Sequence, residues 1–203
     1  MDPGDGVLNR NHRISALCLV GLCGGLLLVS QVVLAFLPNF ELVSLLVILF
    51  TRFFRKLVIP AIGVFVLLEG LLYGFGIWWI SYLYVWYVLA LLTWCFRRRR
   101  SLLFWAVFSG GFGLAFGSLT AIPYLWAGDA FAAISYIVAG IPFDLIHGGG
   151  NFLLALVLCR PLERLLESAA VGLGVRPQSS VQASFAGENF TGQDEKSKGD
   201  EGE

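Results

Sequence analysis

Asp144, His147 and Asn151 stand at i, i+3 and i+7 in the segment Gly140-Ile141-Pro142-Phe143-Asp144-Leu145-Ile146-His147-Gly148-Gly149-Gly150-Asn151. If the segment is helical, that spacing puts a carboxylate, an imidazole and an amide on one face. Their flanks are Leu, Ile, Phe and Ala. A polar stripe on an otherwise lipid-compatible helix is costly unless it faces a partner or a cavity, so the stripe reads as one wall of a small-molecule site.

Glu69 joins the set. It is a carboxylate within Leu67-Leu68-Glu69-Gly70-Leu71-Leu72, several residues from either end of an apolar run and without a neighbouring Lys or Arg. An ionisable group in that setting is a functional candidate by default. Glu41 opens another apolar run, where a carboxylate also complements a helix dipole. Tyr82 and Trp86 share a face at i, i+4, and Trp79 and Tyr124 fall at the same level. The candidate substrate-binding residues are therefore Glu41, Glu69, Trp79, Tyr82, Trp86, Tyr124, Asp144, His147 and Asn151. Ordinary roles compete with this one. Trp78 and Trp126 suit an interfacial belt. Asp144 suits a first-turn dipole partner or a hydrogen bond to His147. Gly148-Gly149-Gly150 suits either close helix packing or backbone opened to a ligand.

No catalytic set emerges. Asp144-x-x-His147 has a spacing used by metal ligands, but one such pair with remote glutamates does not make a site. There is no GxSxG, no HExxH and no GxxxxGK[ST], so the chain is not expected to be an enzyme or to hydrolyse ATP through a phosphate-binding loop. No cofactor or metal is assigned. Cys18, Cys23, Cys95 and Cys159 lie in or at the ends of apolar runs without a CxxC pair, as small buried hydrophobes do.

The elements that must position these groups follow from composition. Of 203 residues, 57% are hydrophobic, and the mean hydropathy is +0.77. Soluble domains sit nearer 45–50% apolar, so this is the composition of an all-α polytopic membrane protein. Six spans are expected, at about residues 14–37, 40–54, 57–73, 77–96, 101–122 and 141–158, the last continuing as a helix to 166. Residues 14–36 are too long for a signal-peptide core and lack a following small-x-small site, so they are expected to be a retained span. Gly21-x-x-x-Gly25 on span 1 and the ridge Ala106, Gly110, Gly113 and Gly117 on span 5 predict tight helix contacts. A loop is expected over 124–139, with 130–138 as a short interfacial helix. The chain divides into an N-terminal segment 1–13, a membrane domain 14–166 and a disordered tail 167–203, whose Gly, Ser, Gln, Glu and Lys cannot bury enough apolar surface to fold.

Charge sets the topology. Arg10, Arg13, Arg52, Arg55, Lys56, Arg97 to Arg100, Arg160 and Arg164 fall on one set of connections, while those near Pro38, near Gly74 and from Pro123 to Gly140 contain neither Lys nor Arg. The positive-inside rule places both termini in the cytoplasm of a cell whose plasma membrane the chain crosses. The Asn189-Phe190-Thr191 sequon would then sit on the side where it is not glycosylated. Glu41, Glu69, Asp129 and Asp144 all fall in the outer half, giving a polar pocket open to the outside above apolar packing.

Short spans, cytoplasmic ends, an outer polar pocket and no ATPase motif together resemble the substrate-binding S component of an energy-coupling factor (ECF) transporter. The likeness is carried by Leu37-Pro38-Asn39-Phe40-Glu41-Leu42-Val43, by Leu67-Leu68-Glu69-Gly70-Leu71-Leu72-Tyr73-Gly74, and by Gly140 to His147 with Asn151. It covers about residues 14–166. The resemblance implies a subunit that captures a vitamin-like nutrient from outside and works with a transmembrane coupling subunit and two cytoplasmic ATPases. The lid would come from Asn39 to Glu41, Gly74 to Trp79 and Tyr124 to Gly140. The Ala-x-x-x-Ala pattern of many S components is absent, since Ala16 is followed at i+4 by Val20.

Several carboxylates without a buried Lys or Arg favour a cationic or amine-bearing heterocycle, and the aromatics offer stacking and cation–π contacts. Two alternatives use the same residues: a proton-coupled secondary transporter with Glu69, Asp144 and His147 as relay groups, and an intramembrane metal enzyme built on Asp144 and His147.

Overall fold

The computed structural model describes residues 3–36 and 40–172. These form helices α1 (Pro3–Leu34), α2 (Val43–Phe54), α3 (Val58–Tyr73), α4 (Ile77–Phe96), α5 (Leu102–Thr120), α6 (Ile122–Ala127) and α7 (Ala130–Gly172), with a 3-10 turn at Arg55–Leu57 between α2 and α3. No strand occurs among the described residues. Five stretches are long and apolar enough to cross a membrane: Arg13–Leu34, Val43–Tyr73, Ile77–Phe96, Leu102–Ala127 and Ala130–Ala169.

The 31-residue stretch Val43–Tyr73 is not one straight helix. It turns at Arg55, whose φ of 50° lies in the left-handed region that L-residues seldom adopt. Glu41 ahead of α2 and Glu69 near the end of α3 consequently line the same cavity, so α2 and α3 run antiparallel. α2 is the central helix. Ten of its twelve residues are buried, and it touches α1, α3, α4, α5 and α7. Phe50, Ile62, Phe65, Val85, Trp86 and Leu89 complete the core around it.

The outside of the bundle is as apolar as the inside. Leu17, Leu71, Leu91, Phe131 and Leu145 are among many large hydrophobic side chains left exposed. A water-soluble surface does not carry so continuous an apolar coat, whereas hydrocarbon is a good solvent for one.

Local chemistry sets the helix ends. Ser101 caps α5 by accepting from the Phe104 N–H at 3.3 Å, and Asp129 caps α7 by accepting from the Ala132 N–H at 2.8 Å. α3 stops at Gly74, whose φ of +88° a side chain would resist. α5 ends because Pro123 has no N–H to offer the Leu119 carbonyl. Side chains of α4 make good the loss: Tyr84 Oη donates to Leu119 O at 2.5 Å and Ser81 Oγ donates to Thr120 O at 3.1 Å. In lipid the lost bond has no water to replace it, so these hydroxyls are part of the fold.

The expected loop over 124–139 is a correction. α6 occupies 122–127, and α7 runs unbroken from Ala130 through Pro142 and Pro161. Each proline removes one backbone bond, yet packing of the long helix against α5 outweighs that local loss. α1 begins at Pro3, and its membrane-length apolar part, Arg13–Leu34, starts where the first span is expected. α7 reaches Gly172, and the remainder of the expected tail lies outside the described residues.

The glycine expectations divide. A Cβ at Gly110, Gly113 or Gly148 would press into the facing helix, so α5 and α7 approach backbone to backbone as the ridge predicts. Gly21 and Gly25 face open space, and Gly24 is the residue of α1 that packs, against Val64 and Ala61 of α3. The paired glycines found the helix but not the face, which is one position off.

Opposite ends of the bundle carry opposite chemistry. Arg52 pairs with Glu163 and lies over the Trp105 ring at 4.9 Å, while the Trp105 indole donates to Arg99 O at 3.1 Å. Arg160 reaches the other Glu163 oxygen at 3.7 Å. The arginines therefore gather at the end away from Glu41, Glu69 and Asp144.

Gly113→Val tests the α5–α7 contact. Its Cβ would sit 2.9 Å from Gly148 N, Gly148 Cα and His147 O, all backbone-fixed. Overpacking of this kind costs about 1–3 kcal/mol, so the variant should melt several degrees lower in detergent. Gly111→Val, which faces open space, should melt like the parent. Equal melting of the two variants contradicts the packing.

Candidate functional site

The acidic end encloses a cavity of about 730 Å³. Glu41, Glu69, Tyr82, Asp144 and His147 all line it, so α2, α3, α4 and α7 bring together five of the nine residues selected from the sequence. No Lys or Arg is in the lining among the described residues.

A hydrogen-bonded chain builds one wall. Asn151 Nδ2 donates to Ser44 Oγ at 3.1 Å, and Ser44 Oγ donates to Glu41 Oε1 at 2.8 Å. His147 Nε2 lies 2.9 Å from the same carboxylate oxygen. An ionised carboxylate only accepts, so a bond to ionised Glu41 requires the proton on Nε2. The imidazole also meets the Phe116 ring edge-on at 4.9 Å. His147 is thus oriented by Glu41 and not by Asp144. Asp144 Oδ1 accepts instead from the Gly117 N–H of α5 at 3.0 Å, a contact possible because Gly117 has no Cβ in the way. The i, i+3 bond between Asp144 and His147, one of the ordinary roles weighed for Asp144, gives way to a bond from each side chain to another part of the chain.

Glu69 forms the facing wall. It is 1% exposed, and its Oε2 accepts from Gln31 Nε2 at 3.1 Å. Gln31 Nε2 also lies 3.5 Å from Tyr82 Oη. Trp78 stands edge-to-face on Tyr82 with centroids 5.3 Å apart.

Four selected residues lie behind the wall. Trp79 turns toward α3, donating its indole N–H to Val66 O at 2.8 Å. Trp86 is wholly buried beneath the cavity among Phe65, Tyr82, Phe112 and Phe116. Tyr124 stacks on Tyr136 at 4.5 Å, and it is Tyr136 that lines the space. Asn151 sits one turn past His147, 1% exposed, holding Ser44. They support the site without facing it.

Sequence reasoning missed Gln31, Trp78, Phe116, Thr120 and Tyr136 as lining residues. Trp78 was detectable, since it precedes Tyr82 by four residues on one helix face. Gln31 carried the plainest signal, a lone amide in an apolar span. An interfacial helix over 130–138 would hold Tyr136 away from the bundle, whereas α7 carries it to the cavity. Of the three expected lid segments, Glu41, Trp78 and the Tyr136–Gly140 portion reach the cavity, and Asn39 lies outside the described residues.

Among the described residues, no three His, Cys, Asp or Glu side chains converge to hold a metal ion. The arrangement offers hydrogen-bond acceptors, negative charge and aromatic rings around an open space. No family model matches the chain, and no curated protein or solved structure is significantly similar to it.

The Glu41–His147 contact makes a measurable claim. Glu41→Gln, His147→Gln and the double variant should show a coupling energy of at least about 0.5 kcal/mol in unfolding. Additive effects would mean that the two groups do not interact.

Proposed function

We propose that the chain is a membrane-embedded binding subunit that captures a small cationic or amine-bearing heterocycle from outside. It hands the ligand inward with a separate ATP-driven coupling module. The observation that carries this reading is the cavity: three carboxylates, an imidazole and several rings surround it, and among the described residues the lining contains neither Lys nor Arg. Such a surface attracts positive charge and N–H donors and repels carboxylates and phosphates.

The topology we infer has six crossings, with α2 and α3 counted separately, since the stretch they share turns back at Arg55. The arginine-bearing end is cytoplasmic by the positive-inside rule, which opens the cavity to the outside of the plasma membrane. The resemblance to ECF S components supplies the partners, a transmembrane coupling subunit and two cytoplasmic ATPases. The absence of a phosphate-binding loop from the sequence is consistent with energy supplied by another chain.

Proton-coupled secondary transport is the second reading. It is favoured by the continuous chain from Asn151 through Ser44 and Glu41 to His147 at the cavity wall. Uptake by the chain alone in proteoliposomes under a pH gradient separates the two: capture with an external motor predicts binding without uptake.

The direct experiment is mass spectrometry of small molecules that co-purify, followed by titration of the identified compound. Glu69→Gln and Asp144→Asn should each weaken its binding roughly ten-fold or more, the loss expected for one charge-assisted hydrogen bond. Trp86→Phe, beneath the cavity, should have a smaller effect. Unchanged affinity in both carboxylate variants would remove the cavity from the binding site.

A further inference from the structure

The two oxygens of Glu69 have different fates. Oε2 accepts from Gln31, while Oε1 is buried with no partner among the described residues. Gln31 repeats the pattern across the contact. Its Nε2 is committed to the carboxylate, which fixes the orientation of the amide, and its Oε1 is buried, again with no partner among the described residues. Both side chains line the cavity, on adjacent helices and joined to each other.

A buried acceptor without a donor costs about 1–3 kcal/mol, and hydrocarbon supplies no donor. Two of them on one hydrogen-bonded pair are a poor arrangement for the empty protein and a good one for a guest with donors. Of the other buried polar atoms without a partner, those of Trp86, Thr93, Ser109 and Asn151 belong to residues outside the lining. The unmet acceptors therefore concentrate at Gln31 and Glu69 within the cavity. Beside them, Trp78 and Tyr82 present rings to the same space.

We propose that Gln31 and Glu69 form a donor-recognition subsite for a planar group bearing two adjacent N–H bonds, as in amidines, guanidines and amino-substituted nitrogen heterocycles. One N–H is donated to Glu69 Oε1 and the other to Gln31 Oε1, and the ring lies against the Trp78 and Tyr82 side chains that line the same space. A positive charge on the group is matched by the Glu69 carboxylate. On the opposite wall His147 is held by Glu41, and Asp144 Oδ1 by the Gly117 N–H. The inference rests on the cavity being a ligand site as proposed above, and it specifies which edge of the ligand is read and by which residues.

The test uses the purified full chain in nanodiscs with matched probes. Benzamidine and 2-aminopyridine, each in its protonated form, carry the donor edge; toluene and 2-methylpyridine have similar shape without it. On the unaltered protein, the donor-bearing probes should bind at least about ten-fold more tightly than their counterparts, followed by tryptophan fluorescence. Gln31→Leu and Glu69→Gln should each shrink that ratio, whereas Asp144→Asn should leave the ratio intact even where it lowers affinity. Equal binding of matched probes overturns the subsite without any variant having to fold. So does a preference that survives in Gln31→Leu and Glu69→Gln. A co-purifying ligand with no N–H donor would overturn the subsite while leaving the capture function standing. Absence of any bound compound or probe would remove both.

Discussion

Three polar pairs join α2 and the residues just ahead of it to α7: Glu41 with His147, Ser44 with Asn151, and Arg52 with Glu163. The pairs advance together along both helices, so α2 and α7 run parallel. In a bundle surrounded by apolar side chains there is no hydrophobic gradient to drive one helix against another. Polar contacts and close packing decide which faces meet. The seam fixes the rotation of α7 about its axis, and that rotation determines that Asp144 and His147 face inward.

The remaining contacts follow from that orientation. With His147 turned to α2, Gly148 meets the glycine ridge of α5, and Asp144 reaches the Gly117 N–H. The small residues of α5 therefore serve packing and site together. They let two backbones touch, and without a Cβ at Gly117 a carboxylate can reach its N–H. On the other side, α1 and α3 close around Gly24, which brings Gln31 level with Glu69. The cavity is what remains between these two tightly packed pairs.

The arginine end has a different character. Arg52 and Glu163 are both largely buried, and Arg52 also covers Trp105. Breaking a buried pair costs more than the pair contributes, because the remaining charge has no water. That cluster closes the bundle at the end where the cavity does not reach, and it gives α2 and α7 a fixed point from which the acidic end can be positioned.

Much of this was legible in the amino-acid order. Hydropathy alone gives the apolar spans, because length and composition suffice to match a bilayer. Glu69, Asp144 and His147 announced themselves because a polar side chain among Leu and Ile has few reasons to be there. The segregation of arginines was equally plain. What the order could not give was rotation about helix axes and pairing across helices. One position separates Gly24 from Gly25 and Trp78 from Trp79, and on a helix with no polar face, periodicity cannot choose between them. Nor could it show that α7 continues through Pro142, since that depends on contacts with α5 gained over a distance. The sequence by itself determined that this chain is a membrane bundle with acids and rings at its arginine-free end. Only the packing of one helix against another decided which of those side chains share a space, because in lipid that choice is made by contacts between distant residues and not by the local pattern.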